Sequence, residues 1–358
     1  MVGGGITGTA SAYYLAKAGL QVTLFEREPF VGSCASGVNA GTLAPQNNPA
    51  PLMTLAMASL ETWRGLAGEL GRDVGYTRVG GFKIAETQEQ RGRLLKYLKE
   101  RTALGLPLRF LEGRELHDMA PYLSDAVVAA NYCELDGYGD SLVAAKAFAE
   151  AARLRGVDVA TATPVRNLER DDRGGYVLTT AAGSLRAGKV LLAAGLWTKG
   201  LAETVGVHLP ISVRINQMAV TERMPSFITH VVSHCDRTLT VKQKECGSVL
   251  IGGGWPGTGQ PTSPRALPTY ESTIGNVRQA LRVLPRLRHA SVIRSWAGFD
   301  GRNPAQTPFL GAVPARPGLY VATSCSGGFT IGPIVGRLMA ELVATGRCSL
   351  DISAFALE

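Results

Sequence analysis

Long apolar runs are missing from this sequence. No stretch reaches the roughly 18 to 20 residues that a membrane-spanning helix needs, and the N-terminus lacks the basic-then-apolar order of a secretory leader. A membrane span is therefore not expected, and the cytoplasm is the expected location. Grouped metal ligands are missing too. The six cysteines (Cys34, Cys133, Cys235, Cys246, Cys325, Cys348) are scattered without a C-x-x-C pair, and the five histidines add no ligand spacing, which argues against a zinc site or an iron–sulfur cluster in this chain. The net charge of +8 comes from dispersed arginines, with neither a basic run nor an interleaved aromatic platform, so nucleic acid is not an expected partner. Internal repeats, low-complexity tracts and an evident catalytic dyad are also absent. What remains, 358 residues that are 45% hydrophobic and 18% charged, suffices for a large core and two closely connected domains.

The chain opens Met1-Val2-Gly3-Gly4-Gly5-Ile6-Thr7-Gly8, continues with an apolar helical stretch from Ala10 to Ala18, and then runs Gln21-Val22-Thr23-Leu24-Phe25 to Glu26. This is G-x-G-x-x-G, helix, strand, acid. Gly3 permits a tight turn, Gly5 lets backbone approach a pyrophosphate, and Gly8 lets the helix pack closely on a sheet. Ile6 and Thr7 open the helix, whose free N–H groups and positive dipole end suit phosphates. Glu26, eighteen positions after Gly8, is placed to accept hydrogen bonds from an adenosine ribose. Only Val2 precedes Gly3, where a first strand of about five residues is usual; we read this as a clipped start.

The glycine loop does not distinguish NAD from FAD. Residues 189–197, Lys-Val-Leu-Leu-Ala-Ala-Gly-Leu-Trp, are a buried-type strand broken at Ala194-Gly195 and followed by Trp197. They resemble the element that closes over FAD in two-dinucleotide-binding flavoproteins, and Gly156–Val159 with Thr163-Pro164-Val165 resemble the strand pair beside the adenine. A plain buried strand and turn is the simpler reading. Near the C-terminus, Gly318–Thr323 reads as a strand leading through a glycine loop, Gly327-Gly328-Phe329-Thr330, to a helix from Ile334 to Ala344, with Pro333 at its start and Gly346 as its stop. Such a helix start offers N–H donors to an electron-rich ring edge.

Four segments together resemble the FAD-dependent D-amino acid oxidase superfamily, in its branch of glycine oxidase, sarcosine oxidase and the opine or hydroxyproline oxidising enzymes: Val2–Gly8 with Glu26-Arg27; Ser33–Gly41; Val190–Trp197; and Ser295–Phe299 with Thr323–Gly336. The resemblance implies an α/β fold, with a Rossmann-like FAD-binding domain (1–75, 136–210, 306–358) interleaved with an antiparallel-sheet substrate domain (76–135, 211–305). It implies that Ser33, Ser36, Asn39, Ala40 and Gly41 lie beside the pyrophosphate and ring, that Gly327–Thr330 edge the flavin, and that FAD is bound non-covalently, since Ser295 and Trp296 stand where some relatives carry a tethering cysteine. Cys325, in the flavin loop, reads as a small buried thiol.

Where glycine oxidase has an arginine after its W-A-G-L motif to hold the substrate carboxylate, this chain has Asp300. Arg302 or Arg294 are the candidates to replace it, each equally readable as a solvated surface arginine. Gln243 and Trp255, on strands that roof the flavin by resemblance, are candidates for polar positioning and for a pocket wall, although a purely structural role is the commoner one. Of His117, His208, His230, His234 and His289, only His234, beside a roof strand, stands out from surface or loop positions. The expected reaction is hydride removal from the carbon next to an amine of an amino acid, imino acid or opine, leaving an imine that water hydrolyses; flavin carries the chemistry and no general base is obligatory. Asp300 facing a basic group of an arginine-derived opine is a further expectation. Resemblance to the opine group adds a hetero-oligomer with electron-accepting subunits, iron–sulfur or a second flavin, with oxygen as the other acceptor. A second reading is a non-catalytic or degenerate flavin-fold subunit of a larger complex.

Overall fold

The computed structural model describes residues 1–263, 265–323 and 327–357. Its first layer is a largely parallel sheet with the order Asp158–Ala160, Thr23–Phe25, Val2, Val190–Leu192, Leu319–Thr323 and Phe309–Ala312, the last antiparallel. Val2 alone stands at the centre, bridging Phe25 on one side and Leu192 on the other. The neighbouring strands are apolar on both faces, as Val190, Leu191 and Leu192 show by being fully buried, because helices cover the sheet.

Two of those helices set the geometry of everything nearby. The first, Ile6–Lys17, follows Gly5, and the C-terminal one, Gly328–Thr345, packs against it. A Cβ on Gly332 would lie 2.6 Å from Ile6, and one on Gly336 would lie 2.4 Å from the Ala10 methyl and 2.8 Å from the Ser11 nitrogen. The one-turn spacing of these glycines lets the helices cross almost backbone to backbone. Likewise a Cβ on Gly8 would meet the Gly3 carbonyl at 1.9 Å, which is why this position takes no side chain.

The C-terminal helix begins six residues before the expected Ile334. Gly327, in the left-handed conformation at φ 59°, turns the chain into it, and Pro333 sits inside rather than at its first position. The proline removes one N–H within the second turn, and the Thr330 carbonyl accepts from Ser59 Oγ at 2.6 Å and Trp63 Nε1 at 3.0 Å, which ties this turn to helix Met53–Leu70. Gly346 ends the helix in the left-handed conformation, as expected. Cys325 lies outside the described residues.

The second layer is an eight-stranded sheet, ordered Val292–Arg302, Ser212–Arg223, Ser248–Pro256, Thr240–Gln243, Val231–His234, Gly81–Ala85, Ala129–Cys133 and Leu108–Glu112. It is mixed rather than antiparallel, because Val231–His234 and Gly81–Ala85 run parallel. Phe82, Ile84, Val232, Val241, Val249 and Ile251 form one core on the face covered by helix Tyr270–Val283. The opposite face looks at the first layer. Ser212–Arg223 and Val292–Arg302 pair in the register Arg214↔Asp300, Asn216↔Gly298 and Met218↔Trp296, so strand alternation brings these residues and Arg302 to that inner face. Among the described residues, no helix is long and apolar enough to cross a membrane.

Helix propensity and packing oppose each other at Gly336, and packing prevails. Gly336→Ala is expected to destabilise by about 1–3 kcal/mol through overpacking. Gly65→Ala, exposed on helix Met53–Leu70 with open space at its Cβ, is expected to stabilise by about 0.5–1 kcal/mol. Thermal midpoints of the two variants on opposite sides of the parent check this; a raised midpoint for Gly336→Ala contradicts the close crossing.

Candidate active site

A cavity of about 840 Å³ runs between the two layers. One end is formed by Phe25, Glu26, Arg27 and Thr163–Arg166, the middle by Gly3–Thr7 and Ser33–Ala40, and the other by Thr42, Met218, Gly253, Gly254, Gly298–Arg302 and Gly327–Thr330. In a dinucleotide fold the acid after the second strand marks the adenosine end, so the opposite end takes the cofactor's reactive ring.

Glu26 is 8% exposed, and burial pushes its carboxyl above the usual range. Oε2 accepts from the Gly4 N–H at 2.6 Å and Oε1 from the Glu28 N–H at 2.8 Å. The acid thus fixes the glycine turn itself, and its spare lone pairs remain for ribose hydroxyls. A Cβ on Gly4 would lie 2.7 Å from Oε2, so the glycine is needed for that contact. Beside it the Arg27 guanidinium stacks 3.5 Å from the Trp197 ring centroid, and Trp197 meets Phe299 edge-on at 6.2 Å. Val165, Ala194 and Gly195 line the same wall.

The first turn of Ile6–Lys17 has no acidic residue and no side-chain cap. The Ile6 N–H donates to Ser36 Oγ at 2.9 Å, leaving the other first-turn N–H groups to an anion. Ser33 lines the cavity while its hydroxyl donates to the Phe30 carbonyl. Asn39 shapes the loop: Oδ1 accepts from the Gly41 N–H at 2.6 Å, and Nδ2 donates to the Ala35 and Ser36 carbonyls. Ala40 reaches the cavity, but Gly41 does not line it. Gly41 instead, at φ 68°, lets the loop pass the Gly139 carbonyl, which a Cβ would approach to 2.2 Å. Gly8 is a packing glycine in the same sense. At the far end Gly327, Gly328, Phe329 and Thr330 line the cavity, and Thr330 Oγ1 donates to the Thr42 carbonyl at 3.3 Å.

Beside this end the two long strands present Arg214, Asn216, Met218, Asp300 and Arg302. Asp300 Oδ2 lies 3.4 Å from Arg302 Nη2 and accepts from Asn216 Nδ2 at 3.3 Å. Burial raises the Asp300 carboxyl, and Arg302 and Arg214 oppose that rise. Arg214 donates to the Gly254 carbonyl at 3.1 Å. Sequence alone does not single out Arg214, Asn216 or Met218. Their period-two spacing is visible there, but which face of the strand meets the cavity is not.

Other candidates fall away from the cavity. Gln243 points to the opposite face, where Oε1 accepts from the Phe227 and Ile228 N–H groups and Nε2 donates to the carbonyls of Met224, Pro225 and Gly247. It staples a loop, because strand alternation sets it on the same side as Val241. Trp255 is not a cavity wall: its Nε1 donates to the Thr238 carbonyl and its ring covers Gly275. Arg294 is exposed and lies 5.9 Å over the Trp296 ring. His234 belongs to a buried network, with Nε2 3.2 Å from Glu86 and Nδ1 accepting from two backbone N–H groups, away from the cavity.

Four arginines (Arg27, Arg166, Arg214, Arg302) and two carboxylates (Glu26, Asp300) line the cavity, a surplus of two positive charges spread between its two ends that suits anionic ligands. A glycine turn locked by a buried acid, an uncapped helix start and a second glycine-led helix at the ring end all fit FAD, and define a flavin-dependent oxidoreductase. The chain belongs to the DAO family, FAD dependent oxidoreductase, which matches residues 1–342. It is 30% identical to glycine oxidase of Geobacillus kaustophilus, over 100% of this chain and 95% of that protein. It is 26% identical to an opine oxidase subunit of Agrobacterium tumefaciens, over 99% of this chain and 95% of that one. The crystal structure of the Geobacillus kaustophilus glycine oxidase superposes with a TM-score of 0.92 at 29% identity, covering 100% of this chain and 97% of that one. FAD is the cofactor.

A glutamine at Glu26 offers one acceptor oxygen where two N–H groups now donate. Glu26→Gln is therefore expected to weaken FAD binding roughly 10- to 100-fold, the value of one or two charge-assisted hydrogen bonds. Titrating apoprotein with FAD and following flavin fluorescence measures it; unchanged affinity would show that the turn does not depend on the carboxylate.

Proposed function

We propose that the protein oxidises the C–N bond of a carboxylate-bearing amine, an amino acid, imino acid or opine, to an imine that water hydrolyses. The observation that carries this reading is the pair Arg214 and Arg302 flanking Asp300 and Asn216 on the inner face of the sheet at the ring end. Two guanidinium groups against one carboxylate leave a net cation, which suits a substrate carboxylate. Asp300, already shared between Asn216 and Arg302, serves to aim those two side chains. Met218 supplies an apolar wall, and the glycines at 253 and 254 leave room beside it. Bound FAD supplies the two-electron acceptor. The residues around it fix the carboxylate, orient the C–H bond and keep water away.

The similarity to glycine oxidase and to an opine oxidase subunit supports this substrate class, and the catalytic reading is preferred over a non-catalytic flavin-fold subunit. The residue ranges 1–75, 136–210 and 306–358 are our proposed cofactor domain, with 76–135 and 211–305 as the substrate domain. Likeness to a subunit of opine oxidase supports a partner subunit, iron–sulfur or flavin, as electron acceptor, and likeness to glycine oxidase supports dioxygen. Rapid return of colour when air is admitted to the reduced chain alone favours dioxygen.

Anaerobic mixing with neutral and arginine-derived opines, glycine, sarcosine and proline is expected to bleach the flavin absorbance for at least one. Arg214→Met should raise KM for that substrate roughly 10- to 100-fold with kcat little changed, as the loss of one charged contact predicts. No bleaching by any of these carboxylates, or an unchanged KM, would overturn the assignment. Asp300→Asn should leave the ratio of rates for arginine-derived and neutral opines unaltered, since Asp300 is engaged by the protein; a selective loss of the arginine-derived substrate would restore direct recognition of a basic group.

A further inference from the structure

Lys242 is 1% exposed, and its Nζ makes one hydrogen bond, 2.7 Å long, to Thr42 Oγ1. Thr42 lines the cavity at its ring end and is tied through its carbonyl to Thr330, in the first turn of the C-terminal helix. Among the described residues Lys242 has no ion-pair partner. An ammonium group has three donors to satisfy, and an unpaired buried charge is strongly unfavourable. Another buried ionic centre shows the contrast: Glu86 is met by His234, Arg237 and Arg282. Lys242 is a buried amine without a counter-ion, one hydroxyl away from a cavity whose ligand gains negative charge during turnover.

We propose that Lys242 is the proton store of the flavin site: its amine is neutral beside the oxidised ring and, through its contact with Thr42, takes up one proton when two electrons enter the ring.

Burial holds the amine well below the ordinary lysine range, and Lys244, just past the end of the same strand, adds to that. Leu250 lies opposite on the neighbouring strand, and Tyr138 pairs with Thr42. Asp140 and Glu245 act on Lys244 rather than on Lys242, and Lys244 itself lies 4.1 Å over the Tyr138 ring. The charge that raises the affinity of Lys242 for a proton is therefore that of the reduced ring. In balance, two electrons and one proton enter the ring at N5 and one further proton from solvent binds Nζ. Reoxidation by the acceptor releases both protons. The amine thereby neutralises the electron-rich ring without presenting an unpaired cation to the oxidised one.

The inference rests on FAD as cofactor and not on which amine is oxidised, so the test uses no substrate. The FAD-loaded protein is reduced with xanthine and xanthine oxidase against a reference dye, and its two-electron potential is followed from pH 8 to 9. A tenfold change in proton activity shifts a two-electron couple by about 30 mV for each proton taken up. The parent is expected to fall by about 60 mV per pH unit and Lys242→Met by about 30 mV. Lys242→Arg, permanently charged, is expected to share the shallow slope at a higher potential. Equal slopes in the parent and Lys242→Met overturn the proposal. If Lys242→Met fails to hold FAD, proton uptake by the parent decides: an indicator dye recording, net of the two protons that xanthine oxidation releases, one proton taken up per two electrons instead of two overturns it.

Discussion

Gly332 and Gly336 meet Ile6 and Ala10 at distances that no side chain on the C-terminal helix would allow. The crossing matters because each helix opens on the same cavity. The N-terminus of Ile6–Lys17 lies at its middle, where the glycine turn passes, and the N-terminus of Gly328–Thr345 lies at its far end, where the ring belongs. Their positive dipole ends are fixed relative to one another by a contact made of backbone and methyl groups. The two helix starts that open on the cavity thus come from opposite ends of the chain. A larger residue at either glycine would separate the helices and with them the two termini.

Charge around the cavity follows burial. Glu26 is kept in place by two backbone N–H groups, with the Arg27 guanidinium as an opposing charge beside it. Asp300 is held by Asn216 and Arg302, and Glu86, remote from the cavity, by one histidine and two arginines. These three carboxylates are each compensated within the protein. Lys242 is not, and that asymmetry distinguishes a group that stabilises the fold from one whose partner arrives with the cofactor.

The eight-stranded sheet divides its work by face. Val241, Gln243, Val249 and Ile251 look outward to helix Tyr270–Val283 and its neighbours. Lys242, Arg214, Asn216 and Asp300 look inward. A one-residue slip in register would exchange these sets, and the apolar face keeps the register in place. The core beneath the outer helix therefore positions the inner polar residues on the opposite face.

The sequence by itself determined the glycine turn, Glu26, the strand at Val190–Leu192 and the glycine loop before the last helix, because each depends on local backbone rules that spacing reveals. It also determined the family and FAD, because those features lie at both ends of the chain in the right order. Several assignments needed the tertiary structure. Gln243 and Trp255 sit on the expected strands, yet their side chains serve a loop and a glycine surface, since a strand pattern gives the alternation but not which face is inward. For the same reason Arg214 was invisible until its pairing with Asp300 placed it. Pro333 reads as a helix start from the sequence, but Gly327 turns the chain earlier and side chains from helix Met53–Leu70 anchor the first turn through the Thr330 carbonyl. Lys242 reads as an ordinary strand residue; only the packing of two layers made it a buried amine with one partner, because burial and counter-ions come from residues distant in the chain.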